Sequence, residues 1–127
     1  MENILRNYWN KKAPLEDDRE KNNPIKQVHT DLIMRKIIEA IGEREKLKIL
    51  DAGAGSGRFS LKLAEMGHNV THFDISDEML KIAKEKADKL GLKNIHFSLG
   101  SVDNLEQFKE HEFDLVISID SPISFCY

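Results

Sequence analysis

Residues 48–67 read KILDAGAGSGRFSLKLAEMG. The first positions are apolar and branched, as in a buried strand. Gly53, Gly55 and Gly57 follow within five residues, and from Arg58 the apolar positions recur at helical spacing until Gly67 stops them. A strand that passes through a glycine-rich turn into a helix lets backbone approach a ligand closely and presents free N–H groups to it. Three glycines at this junction point to nucleotide binding rather than to a bare tight turn.

Strand and helix patterns alternate on both sides of this segment. Upstream, Leu32, Ile33, Ile37, Ile38 and Ile41 share one helical spacing over residues 27–41, with Thr30 or Asp31 as cap and Gly42 as stop. Residues 1–27 are polar and interrupted by Pro14 and Pro24. There "APLEDDREKNNP" reads as loop after a short amphipathic helix carrying Ile4, Leu5, Tyr8 and Trp9. Downstream, the pattern predicts strands at 69–75, 94–99 and 113–119, besides 47–52. It predicts helices at 58–66 and 76–91 and a short one at 103–108. Ser76 caps the helix at 76–91, Asp77 and Glu78 complement its dipole, and Met79, Ala83, Ala87 and Leu90 form its stripe. This is an α/β chain: a Rossmann-like parallel sheet with helices on both faces and right-handed crossovers. Such sheets hold ligands beyond the carboxyl ends of their strands. Residues 1–27 form an N-terminal segment and 28–127 the ligand-binding domain.

The bulk numbers fit one domain. Of 127 residues, 40% are hydrophobic and 32% charged, enough to bury a core. A net charge of −3 with no basic block argues against nucleic acid as partner. The start has no apolar signal core and no run approaches membrane-spanning length, so no membrane partner is expected. The single cysteine, Cys126, precludes an internal disulfide and fits a cytoplasmic location. His68 and His72 straddle a turn and a strand and do not converge, so no metal site is expected.

The dinucleotide fingerprint G-x-G-x-x-G requires a third glycine where Arg58 stands; here it comes one residue early, at Gly57. Asp51 before the loop repels a pyrophosphate but attracts an ammonium. An NAD-dependent oxidoreductase is therefore the weaker reading. Instead, Asp51-Ala52-Gly53-Ala54-Gly55-Ser56-Gly57 resembles the D-x-G-x-G-x-G loop of class I S-adenosylmethionine-dependent methyltransferases of the small-molecule type. The resemblance runs from about Val28 to Tyr127. It implies that the loop backbone wraps the methionine half of S-adenosylmethionine and that Asp51 helps hold its amino group.

Asp74 lies about 20 residues beyond the first glycine, where a carboxylate can accept from both ribose hydroxyls. The family carries an acidic residue there for that purpose, although Asp74 can also cap the next helix. Ile75 and Met79 can pack against the adenine, Met79 equally serving as core. Where relatives show Gly-Asp-Ala, this chain has Gly100-Ser101-Val102, so Ser101 and the Val102 N–H are left to meet the ring. Ser118 can border the cofactor. Asp120, at the substrate end, can orient a substrate, accept a proton or simply cap a turn. "NYWNKKA" resembles the aromatic segment that forms a lid in many small-molecule methyltransferases; Tyr8 and Trp9 are otherwise a hydrophobic anchor.

The family's sheet has seven strands in the order 3-2-1-4-5-7-6, of which this chain supplies 3-2-1-4. The expected activity is transfer of the sulfonium methyl to a small-molecule acceptor, with S-adenosylhomocysteine as product. A non-catalytic cofactor-binding or assembly module is the alternative. Strand 113–119 offers an open edge to a second copy or a partner chain.

Overall fold

Four apolar runs pair side by side in a computed structural model that describes residues 2–119, the side chains of Arg19 and Glu20 excepted. They are β1 (Lys48–Ala52), β2 (Asn69–Asp74), β3 (Ile95–Leu99) and β4 (Leu115–Ile117), all parallel, in the order β3-β2-β1-β4. The helices are α1 (Glu2–Asn22), α2 (Pro24–Ile41), α3 (Ser60–Glu65) and α4 (Asp77–Lys89). This is the expected Rossmann-like sheet and strand order. No helix among the described residues is long and apolar enough to cross a membrane.

Register sorts the side chains into two layers, because partners on adjacent parallel strands face the same way. Ile49, Val70 and Ile95 align with Leu115 and meet α2, α3 and α4 through Met34, Ile37, Leu63 and Ala87. On the opposite face, Leu50, Ala52 and Phe73 pack against Val102, Phe108 and Phe113. The expected short helix at 103–108 is a series of turns instead. Edge-to-face stacking of Phe108 on Phe73 (5.2 Å) and Phe113 (5.4 Å) fixes its course. Phe113 therefore lies outside β4, which is shorter than the expected 113–119.

The N-terminal third departs most from expectation. Residues 13–24, read as loop, belong almost entirely to helix: α1 runs unbroken through Pro14. Proline removes one backbone donor there, while Arg6–Glu2 (3.5 Å), Lys21–Asp17 (3.1 Å) and Asn22→Asp18 (2.7 Å) tie successive turns and α4 packs alongside. The boundary placed between residues 27 and 28 falls inside α2. Neither Thr30 nor Asp31 caps that helix. Asn23 does, its Oδ1 accepting from the N–H groups of Ile25 (3.0 Å) and Lys26 (3.3 Å), with Pro24 at the first position. In this helix Thr30, Met34, Ile37 and Ile41 face inward while Leu32 and Ile38 are exposed. Asn23→Ala should cost about 1 kcal/mol, read as a lower midpoint in chemical denaturation with unchanged slope; Asn23→Ser should retain most of the stability.

Candidate functional site

The glycine loop is anchored to the end of β2. The N–H groups of Gly53 and Ala54 both donate to the Phe73 carbonyl (2.8 and 3.0 Å), and Gly57 N–H donates to Ala54 (3.3 Å). One residue beyond Phe73, the Asp74 carboxylate accepts from Gly55 N–H (2.8 Å) and Ser76 N–H (2.9 Å). Ser76 caps α4 as expected, accepting from Met79 N–H (3.2 Å). Helix α3 begins at Ser60, two residues later than the pattern suggested, because residues 55–59 turn first.

Between loop, β2 end and the first turn of α4 lies a cavity of about 620 Å³, part of it open to solvent. Of the residues expected to hold a cofactor, Asp51, Gly53, Ala54, Gly55, Asp74, Ile75 and Met79 line it together. The others do not line it. Ala52 and Val102 join the core of the opposite face. Gly57 packs against Leu61 and Ala83. Ser101 borders a separate shallow groove with Gly100 and Asn104 and bonds to Asp103. Ser118 gives way to its neighbour Ile119. Asp120 and Cys126 lie outside the described residues.

Pattern reading missed Glu16, Lys26, Ser56, Arg58 and Phe59 as lining residues. Arg58 was noticed only as a displaced glycine. Its guanidinium reaches α2, bonding Thr30 Oγ1 and the Lys26 carbonyl (3.3 Å) and approaching His29 Nδ1 (3.1 Å). Trp9, read as either lid or anchor, lines the cavity, and α1 brings Glu16 beside it.

The electrostatics set Asp51 apart. It is fully buried, and its Oδ2 has no hydrogen-bond partner among the described residues. Burial, followed by the nearby Asp74 carboxylate, pushes its pKa up to about 8, against a lowering by the Ser60 N–H. Burial also raises Asp74, offset in part by the N–H groups of Ser76, Gly55 and Ile75. His72, beside Asp51 in the register, bonds Ser60 Oγ (2.8 Å). Burial holds its pKa down to about 4, so the imidazole is neutral at physiological pH. His68 Nδ1 accepts from Leu47 N–H (3.1 Å). Both histidines thus serve the fold.

A glycine loop after β1, a carboxylate closing β2 and a pocket between them define a cofactor site of the Rossmann-like nucleotide-binding class. Residues 43–125 match the family model of the methyltransferase domain, and the chain belongs to that family. Among curated relatives, it is 32% identical over 120 residues to the ubiquinone biosynthesis O-methyltransferase of Rickettsia prowazekii, covering 94% of this chain and 45% of that protein. It is 35% identical over 74 residues to the tRNA 5-carboxymethoxyuridine methyltransferase of Escherichia coli, covering 58% of this chain and 28% of that protein. Among solved structures, the PH0226 protein from Pyrococcus horikoshii superposes with a TM-score of 0.71 at 31% identity, covering 82% of this chain and 44% of that one. The chain spans less than half the length of these proteins. The class I resemblance carried by residues 51–57 is thereby established, while relatives named for ubiquinone biosynthesis and for a tRNA nucleoside leave the expected exclusion of nucleic acid without support.

Proposed function

We propose that this chain binds S-adenosylmethionine and forms the cofactor half of a methyltransferase with a small-molecule acceptor. The observation that carries this reading is the buried Asp51 with its unpartnered Oδ2 beside the glycine loop. A buried carboxylate oxygen that meets no donor among the described residues is costly alone and is satisfied by a cationic donor. The ammonium of a methionyl group is such a donor; a pyrophosphate is not.

When bound, S-adenosylmethionine supplies an electrophilic methyl to the acceptor's lone pair, the C–S bond breaks onto sulfur, and S-adenosylhomocysteine remains. The chain's contribution is positioning and exclusion of water. Asp51 accepts from the ammonium. Asp74 keeps lone pairs for ribose hydroxyls after its two backbone bonds. Ile75 and Met79 supply an apolar wall for the adenine, and Trp9 on α1 covers the opening. A small acceptor fits a pocket overlaid by a helix and a chain whose net charge is −3 with no basic block.

Calorimetry with S-adenosylhomocysteine is expected to show one site per chain, weakened about 10- to 100-fold by Asp74→Ala, the loss of one or two charge-assisted hydrogen bonds. Far-UV circular dichroism checks that the variant folds. No binding heat in the wild type, or none lost in a folded variant, sinks the cofactor reading. Label transferred from the methyl donor into an RNA pool and not into a small-molecule pool would replace the acceptor class.

A further inference from the structure

Helix α1 lines the pocket through Trp9 and Glu16 and packs along α4, but few of its apolar side chains are fully buried. Among its described side chains, Ala13 is the only hydrophobic one that is fully buried, while Ile4, Tyr8 and Leu15 are exposed. Its position rests on polar ties at two ends. At the N-terminal end, Arg6 donates to the Ile75 carbonyl (3.0 Å), and Asn10 Oδ1 accepts from Ser76 Oγ and from Glu78 N–H (3.3 Å). Farther along, Asp17 forms an ion pair with Lys86 of α4. The same Lys86 ammonium donates to the Ser56 carbonyl inside the glycine loop (3.3 Å). One side chain therefore joins three parts: α4 carries it, α1 meets it through a carboxylate, and the loop meets it through a backbone oxygen.

This pair is not an ordinary surface contact. The Asp17 and Lys86 side chains are 16% and 25% exposed. Burial by itself raises the Asp17 carboxyl, but Lys86 and Lys21 together outweigh it and hold the group below the usual carboxylate range. A partly buried pair loses more when one partner is removed than an exposed pair does, because the remaining charge stays desolvated.

We propose that Lys86 is a positioning residue that couples the docking of α1 to the glycine loop and so sets how fast a ligand leaves the pocket. This rests on the binding reading above. With Lys86 in place, α1 cannot lift without leaving Asp17 short of its closest cation, and Lys86 is itself held toward the glycine loop by its bond to the Ser56 carbonyl. Ligand exit past Trp9 and Glu16 then requires breaking that junction. Neither Asp17 nor Lys86 lines the pocket, so the pair acts on residence time more than on encounter.

Trp9, the one tryptophan in the chain, lines the pocket and reports both states by fluorescence. In stopped-flow displacement of S-adenosylhomocysteine, Lys86→Met and Asp17→Asn should each raise the dissociation rate about five- to tenfold with little change in association. The double variant should be no faster than either single one. Lys86→Arg should restore near wild-type rates, and Lys84→Met, on the exposed side of α4, should change nothing. The difference between wild type and Lys86→Met should shrink as salt rises, which a merely structural role would not produce. Unchanged dissociation rates, or effects that multiply in the double variant, overturn the proposal. Acrylamide quenching of Trp9 without ligand separates this failure from that of the binding reading. If the wild type binds nothing, Trp9 should still become more accessible in Lys86→Met, and equal quenching refutes the latch.

Discussion

Asp51→Asn should flatten the pH dependence of stability between about pH 5 and 8 and remove most of the affinity for S-adenosylhomocysteine. The carboxyl's pKa is 3.8 in the unfolded reference and about 8 in the folded chain. Across that window the folded state holds a proton that the unfolded state has released. Stability is therefore fully present below the unfolded value, falls as pH rises, and levels off above the folded value, with a slope of at most about 1.4 kcal/mol per pH unit. An amide keeps the acceptor for the Ser60 N–H but carries no charge to bury. Denaturant midpoints between pH 5 and 9 should thus decline in the wild type and much less in the variant. A remainder is expected from Asp74, whose raised pKa acts in the same direction. Saturating S-adenosylhomocysteine should also flatten the wild-type curve, because an ammonium beside Oδ2 stabilises the ionised form. The variant should bind that ligand roughly 10- to 100-fold more weakly. Parallel pH curves for the two proteins would show that Asp51 is not protonated in the folded chain.

Gly57→Ala should destabilise the domain by about 2 to 5 kcal/mol, whereas Gly55→Ala should cost about 1 kcal/mol. The two glycines stand two residues apart and do different things. Gly57 has φ +98°, and a Cβ there would meet Leu61 Cδ1 at 2.9 Å, Leu61 Cγ at 3.0 Å and Ala83 Cβ at 3.4 Å. Leu61 is itself buried and cannot swing aside without opening the seam between α3 and α4. Gly55 has φ +60°, near the left-handed region that an alanine tolerates, and a Cβ would meet nothing within 4 Å. Its substitution should leave the fold and disturb the ligand, because Gly55 N–H fixes Asp74. Thermal melts should rank the wild type slightly above Gly55→Ala and far above Gly57→Ala, while calorimetry at a temperature where both fold shows the ligand effect in Gly55→Ala. Equal melting temperatures for the two variants would refute the packing role of Gly57.

The parallel sheet was legible because its signals are local. Period-2 and period-3.6 apolar patterns, the Ser76 cap and the glycine stops each lie within a few residues of the element they define. Helix α4 and the core of the glycine loop came out where the pattern placed them. The N-terminal third was not legible. Pro14 and the run of charges from Glu16 to Lys21 read as loop by local propensity, yet packing along α4 keeps them helical. Glu16 reaches the pocket only through that packing. The segment after β3 failed similarly: a chain of stacked phenylalanines, not helical periodicity, sets its path.

By itself the sequence determined the fold class, the strand order through its family resemblance, and the pair of carboxylates Asp51 and Asp74, since spacing along a strand–turn–helix unit dictates them. Only the tertiary structure decided that Asp51 is wholly buried with one oxygen unmet among the described residues, that Gly57 serves packing where Gly55 serves the loop's hold on Asp74, and that Lys86 joins α1 to the glycine loop. Each of these depends on residues far apart in the chain, and burial and charge pairing at that range are properties of packing that no local pattern encodes.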